Sequence, residues 1–342
     1  MYMTYLCRQR SLISSKKPLT LETHEKNNFR PTWLVRTDDM QHVLGTDAIN
    51  GYSTISYSWN YSGDIILGEG GKYEFIDEGK HKLVFKTKSE GGDVHEEIKE
   101  VKFEQLIQQI CKDFEIEYIW YDKNCIDQND KAAKHAEIAI MHKTYKNAYF
   151  AVAMIPEMSV PESIDLSLYI KDIFTMESSS RKEEMQEKHD TIEKCLTDIC
   201  QSQWMKRLWT LEEAIMSRYT VFVGGNAYLW NSTRLFYMAH LVLRSNIENI
   251  NSLYELYLKR TITANFISYY AHIIRSTTKE HDRVYALANI FANLINVDVD
   301  YDLPIMTTLS NFYSDLIEKD LSMLCFGKAR DSYKSTIQGI HD

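Results

Sequence analysis

Residues 118–155 read YIWYDKNCIDQNDKAAKHAEIAIMHKTYKNAYFAVAMI. Tyr118-Ile119-Trp120-Tyr121 is a short apolar strand that ends at Asp122, and a polar loop runs from Lys123 to Asp130. Ile138, Met141, Tyr145 and Ala148 then recur at helical spacing, and Tyr149 to Ile155 returns to an apolar run of strand length. Strand, helix, strand in this order is the unit of a parallel sheet. The same alternation extends in both directions. Upstream, Tyr52 to Tyr57 is a β-branched and aromatic strand, and Phe103, Leu106, Ile107 and Ile110 mark an amphipathic helix. Downstream, a helix from about Met205 to Ser217 leads to the strand Tyr219 to Val223, which Gly224-Gly225 stops. The expected class is α/β, a parallel sheet flanked by helices.

Additions surround this core. Residues 1–50 are polar and irregular, with Pro18 and Pro31 as breakers, and read as an N-terminal arm leading to an extended segment, Thr32 to Arg36. Tyr73 to Ile76 and Lys82 to Thr87 flank Glu78-Gly79-Lys80, which predicts a β-hairpin insertion. Pro156 and Pro161 open a polar insertion at about 156–200, closed by a helix through Met185, Ile192, Leu196 and Ile199. From Ser232 onward only helical periodicity is found: Ile262, Phe266, Tyr269 and Ile273; Val284, Leu287, Phe291 and Leu294; Met306, Leu309, Phe312 and Leu316. The reading therefore divides the chain into an arm (1–50), an α/β domain (51–226) and a helical C-terminal extension packed on the core (227–342).

Composition narrows the function. With 342 residues, 44% apolar and 25% charged, the chain can bury a large core. A formal net charge of -9 argues against nucleic acid as a partner, since phosphate neutralisation requires a basic face. Six scattered cysteines without a CxxC pair read as reduced thiols, and no apolar run approaches the ~20 residues of a spanning helix. No signal-peptide stretch is read at the N-terminus, and the expectation is a cytoplasmic protein without a membrane partner. No glycine lies between Gly92 and Gly224, and Gly68-Glu69-Gly70-Gly71 lacks the last glycine of a dinucleotide fingerprint. P-loop and ordinary Rossmann chemistry lose their support. His135-Ala136-Glu137 is half of a zinc deaminase signature with no Pro-Cys-x-x-Cys after it, so no metal is expected.

Parallel sheets bind ligands outside the carboxyl ends of their strands. Those ends offer Ser56, Tyr57, Ser58 and Trp59 from the first strand, and Asp122 to Cys125 from the second. Trp209 and Glu213, at i and i+4, share a helical face. An indole beside a carboxylate suits a flat cationic or sugar-linked ligand, though the same spacing also describes a packed ring and a solvated acid. Asp122 either holds a ribose or caps its turn, and Arg207 either holds a phosphate or pairs with an acid. Asp127 and Asp130 read as helix caps. Cys125 lacks a base to activate it, and His135 and His142 read as polar surface or core-edge residues.

Three blocks resemble the fungal heterokaryon-incompatibility (HET) domain family. They are Tyr52-Ser53-Thr54-Ile55-Ser56-Tyr57-Ser58-Trp59, Tyr118 to Gln128, and Trp204-Met205-Lys206-Arg207-Leu208-Trp209-Thr210-Leu211-Glu212-Glu213-Ala214. Asp282 to Leu287 and Asp300-Tyr301 resemble a downstream segment of such proteins. Asn60 stands where the family usually has Gly, and Glu212 where it usually has Gln.

That family is held to be similar to the Toll/interleukin-1 receptor (TIR) domain, whose sheet is flavodoxin-like. Some TIR domains cleave NAD at the nicotinamide–ribose bond, with a glutamate four residues after a tryptophan. The resemblance thus implies Glu213 as the catalytic residue and Ser56, Tyr57, Ser58, Trp59, Asp122, Arg207 and Trp209 as substrate-binding. It implies NAD or a related nucleotide as substrate with no cofactor, homo-oligomerisation on activation, and a role in heterokaryon incompatibility, innate immunity or cell death. The alternative is a non-catalytic, self-associating signalling module of the same fold.

Overall fold

The computed structural model describes residues 2–12, 29–67, 73–89, 92–162, 164, 182–230, 232–243 and 275–321. Four short strands form within the first 50 residues: β1 (Thr4–Leu6), β2 (Arg10–Ser11), β3 (Trp33–Arg36) and β4 (Gln41–Leu44). β3 is the expected extended segment. The other three correct the reading of an irregular arm, because each joins a sheet. Strands of two to four residues are too short for their alternation to stand out from polar surroundings.

β5 (Ser53–Ser56) begins the parallel core. After it, the expected hairpin is replaced by two. β6 (Asp64–Leu67) pairs with β7 (Tyr73–Ile76), and β8 (His81–Lys88) pairs with β9 (Val94–Val101). The turn at Gly79 therefore joins two different sheets. Asp77 holds it there: its Oδ1 accepts from the Gly79 amide at 3.0 Å, while its Oδ2 accepts from the Phe103 amide. β9 reads VHEEIKEV and is exposed along all but its last residue, so no apolar pattern announces it.

α1 (Phe103–Asp113) buries Phe103, Leu106, Ile107 and Ile110, and Gln105 Oε1 caps it by accepting from the Lys102 amide at 3.1 Å. β10 (Tyr118–Trp120) runs into a one-turn helix, α2 (Asp122–Cys125), within the expected loop. α3 (Lys131–Asn147) is capped by Asp130, whose Oδ1 accepts from the Ala133 amide at 3.0 Å. Asp127 instead shapes the preceding turn, accepting from the Asn129 amide at 2.9 Å. β11 (Ala151–Met154) follows, then α4 (Lys182–Cys200), α5 (Gln203–Lys206) and α6 (Trp209–Met216). The single helix expected over 205–217 is thus broken at Arg207. β12 (Thr220–Val223) and the unexpected β13 (Ala227–Trp230) precede α7 (Ser232–Leu243), α8 (Asp282–Ile290) and α9 (Ile305–Lys319). The glycine cluster at Gly68 to Gly71, most of the insertion after Glu162, and the run from Ile262 to Ile273 lie outside the described residues.

The main sheet has the order β2-β13-β12-β11-β5-β10-β3-β4. Its centre, β12-β11-β5-β10, is parallel, and antiparallel pairs on either side join it to β13 and β3. In chain order the four parallel strands lie second, first, third, fourth, so the direction of winding reverses between β5 and β11. β5, β11 and β12 are buried at every residue, as expected of a sheet covered on both faces. Alternate side chains divide the core accordingly. Val152, Met154, Val221 and Val223 pack with α1, whereas Ala153 and Phe222 pack with α4, α5, α6 and α8.

Candidate functional site

The candidate residues gather at the carboxyl ends of β5 and β10, beside the winding reversal, where doubly wound sheets place their crevice. Ser56 ends β5, and its Oγ accepts from Trp204 Nε1 of α5 at 2.6 Å. Tyr57 is buried, and its hydroxyl approaches Asp122 without reaching hydrogen-bond geometry. Ser58 serves the turn: its carbonyl accepts from the Tyr61 amide at 2.8 Å. Trp59 Nε1 donates to Asp122 Oδ2 at 2.6 Å, and Asp122 Oδ1 accepts from the Lys123 amide at 2.7 Å. Asp122 thus both ends its strand, as the turn reading has it, and enters the polar cluster.

Glu213 reaches the same cluster from α6. It is only 6% exposed, and burial pushes its carboxyl group up to about 7. The Asp122 carboxylate pushes the same way, while Arg207 and the Ser56 and Tyr145 hydroxyls pull it down. Asp122 is likewise raised by burial and restrained by Trp59 and Arg207. Two carboxyl groups therefore share one partly dry site with one guanidinium. Arg207 stands within electrostatic reach of both, yet among the described residues its side chain makes no salt bridge. Glu213 Oε2 and the Tyr57 hydroxyl are buried without a hydrogen-bond partner, a costly arrangement for polar atoms.

Trp209 does not enter this cluster by any polar contact among the described residues; it is partly buried and packs against both cores. Its sequence spacing from Glu213 is helical, and it stands half-buried where the two cores meet. Glu212 also leaves the site. It is 0% exposed, Asn289 Nδ2 donates to its Oε2 at 3.2 Å, and burial holds it well above the usual carboxyl range. His142 meets Asn289 at 3.3 Å, and His135 packs against the Tyr301 ring, matching their core-edge reading. Cys125 is buried and its thiol is pushed up to about 12, far from a nucleophile's range.

Three participants went unnoticed in the sequence. Tyr145 was visible only as an apolar helix position, and Trp204 only as part of the third block. Glu157 follows β11, and its carboxylate accepts from the Tyr61 hydroxyl at 2.6 Å and from the Gln203 amide at 3.0 Å. A Glu after Pro156 carries no local signal of that role. A cavity of about 360 Å³ lies elsewhere, lined by Tyr5, Arg8, Asp113, Phe114, Tyr228 and Trp230, among others, and by none of these candidate residues. No group of three or more His, Cys, Asp and Glu side chains among the described residues could hold a metal ion.

Residues 52–213 match the family model of the Heterokaryon incompatibility protein (HET). The match begins at the Tyr52 that opens the first block and ends on Glu213, so it takes in the first two blocks and all of the third but Ala214. The downstream segment from Asp282 to Tyr301 lies beyond it. No curated protein matches the chain, and no solved structure matches it. Among the described residues no helix is long and apolar enough to cross a membrane.

Proposed function

We propose that the chain is a TIR-like hydrolase that cleaves the nicotinamide–ribose bond of NAD or a related nucleotide, with Glu213 as the catalytic residue. The observation that carries this reading is Glu213 itself. A buried carboxyl group with a value near 7 stands at the carboxyl end of a parallel sheet, beside Ser56, Asp122 and Arg207. Perturbed acids gathered at such a rim are characteristic of catalytic sites. The strand order second, first, third, fourth supports the flavodoxin-like part of the reading. The HET match suggests a role in heterokaryon incompatibility, and cell death or innate immunity belongs to the same proposal.

In the reaction, the bond between the ribose anomeric carbon and the nicotinamide nitrogen breaks, and its electron pair stays with nicotinamide. Ionised Glu213 stabilises the oxocarbenium ion left behind, water adds to the anomeric carbon, and a proton is released. The unpartnered Glu213 Oε2 and Tyr57 hydroxyl would be satisfied by ribose hydroxyls, and Arg207 would face the phosphates. Asp122, oriented by Trp59, completes the wall. No cofactor enters this scheme, and the cytoplasm is the proposed compartment.

The 6% exposure of Glu213 favours activation by assembly, since substrate must displace part of the rim to reach it. The same closure favours a second reading, a non-catalytic self-associating module. Purified protein incubated with NAD separates the two: nicotinamide release that Glu213→Gln abolishes supports the enzyme. No release at high protein concentration, with or without forced clustering, refutes it.

A further inference from the structure

The break between α5 and α6 has no helix-breaking residue behind it. Neither glycine nor proline occurs in 203–216, and Arg207 is nevertheless extended, with φ -79 and ψ 141. Leu208 opens α6 without a side-chain cap. Such a break strands backbone groups that a continuous helix would pair. The Thr210 hydroxyl lies within donating distance of the Trp204 and Arg207 carbonyls, and the other partners come from far along the chain. Ser276 forms a one-residue parallel bridge with Arg207: its amide donates to the Lys206 carbonyl at 2.7 Å, and its carbonyl accepts from the Leu208 amide at 3.0 Å. Arg275, 2% exposed, donates through Nη1 to the Arg207 carbonyl and to Thr210 Oγ1, both at 2.8 Å, and to the Trp204 carbonyl at 3.4 Å. Its guanidinium also lies over the Trp204 ring, 5.9 Å from the centroid.

These contacts reach the candidate site along two routes. Trp204, held by Arg275, donates its indole N–H to Ser56, which faces Glu213. Arg207, pinned through its backbone, keeps its guanidinium towards Asp122 and Glu213.

We propose that Arg275 and Ser276 form a positioning clamp, by which the C-terminal third of the chain sets the placement of Arg207 and Glu213. The inference deepens the proposed function and rests on it only for its activity readout. A region beyond the HET match is thereby made part of the site's machinery without touching the substrate. Anything that draws residues 275–276 away would disarm Glu213 while leaving the sheet in place.

The test uses the full chain with Arg275→Met, Arg275→Lys and Ser276→Pro. Ser276 is exposed, so its proline variant removes the amide and hydroxyl donors to the Lys206 carbonyl with little threat to folding, whereas Arg275→Met carries more risk. The Glu213 carboxyl band is followed by infrared titration and assigned with Glu213→Gln. The charged and titratable groups facing it are Asp122, Arg207, Tyr145 and Glu212. With Arg207 released, the Glu213 midpoint moves above its wild-type value in Ser276→Pro and Arg275→Met and returns towards it in Arg275→Lys. Nicotinamide release falls about 100-fold in the first two, the scale of a misplaced catalytic group, with partial recovery in the third. Unchanged midpoints in variants that retain wild-type circular dichroism would overturn the clamp. Shifted midpoints in a protein that never releases nicotinamide would uphold the clamp and defeat the enzyme reading alone.

Discussion

Glu212 and Glu213, adjacent on α6, send their carboxyl groups into different environments: Glu212 to Asn289 of α8, and Glu213 to Ser56 and Asp122 at the rim of the sheet. Successive residues on a helix are turned by roughly 100° from one another, so the two acids meet different partners although each lies within electrostatic reach of the other. Glu213→Gln is therefore expected to lower nicotinamide release by about 100-fold or more, as for loss of an electrostatic stabiliser. Glu212→Gln leaves release unchanged, because an amide fills the same volume and still accepts from Asn289. Single-turnover assays on the two variants distinguish these outcomes; equal losses in both would contradict the assignment.

Stability should depend on pH through Glu213. The unfolded acid ionises near its ordinary 4.5 and the folded one near 7, so between these values the folded state holds the extra proton. Its contribution is full below the lower value and is lost as pH rises through the upper one, a loss on the order of 3 kcal/mol. Urea unfolding of the wild type minus that of Glu213→Gln, measured from pH 4 to 8, isolates this slope. A flat difference would show that burial does not raise the group.

The same ionisation governs the proposed chemistry. Only the carboxylate stabilises an oxocarbenium ion, so nicotinamide release should rise with pH through a midpoint near 7. A rate that falls over this range would assign Glu213 the role of a proton donor instead.

Trp59 is tied to Asp122 by a 2.6 Å hydrogen bond that favours the ionised carboxylate. Trp59→Phe keeps the ring edge against Phe75 but removes the donor. The expected cost is about 1–2 kcal/mol in urea unfolding, and the Asp122 carboxyl group should titrate at a higher pH. Wild-type values for both would show that the indole N–H is replaced by water.

Five cysteines, Cys7, Cys111, Cys125, Cys195 and Cys200, are buried as free thiols. For Cys125, burial holds the thiol near 12. Brief iodoacetamide treatment of native protein, followed by mass spectrometry, should leave these five unmodified and label them only in urea. Native labelling of Cys125 would revive it as a nucleophile.

The parallel centre of the sheet was legible in the chain because each of its strands is a short run of buried residues, and α1 and α3 repeat apolar positions at helical spacing. The first-strand residues, Asp122 and Glu213 were legible as a group because strand ends and helix faces converge at one rim. The two hairpins were not. β9 is charged and exposed, and the residues of β7 and β8 look like each other's partners although they lie in different sheets. Periodicity reports that a face is buried, not what buries it.

The amino-acid order thus settles the elements of the parallel core, the α/β class and the short catalogue of candidate acids, since these follow from side-chain pattern over a few turns or strands. Folding in three dimensions settles the rest: the break at Arg207, the different partners of Glu212 and Glu213, and the half-buried place of Trp209 between the two cores. Those outcomes depend on partners such as Arg275 and Asn289, 68 and 77 residues away along the chain from the groups they hold. Hydrogen bonds and desolvation act through space, and no local window contains both ends.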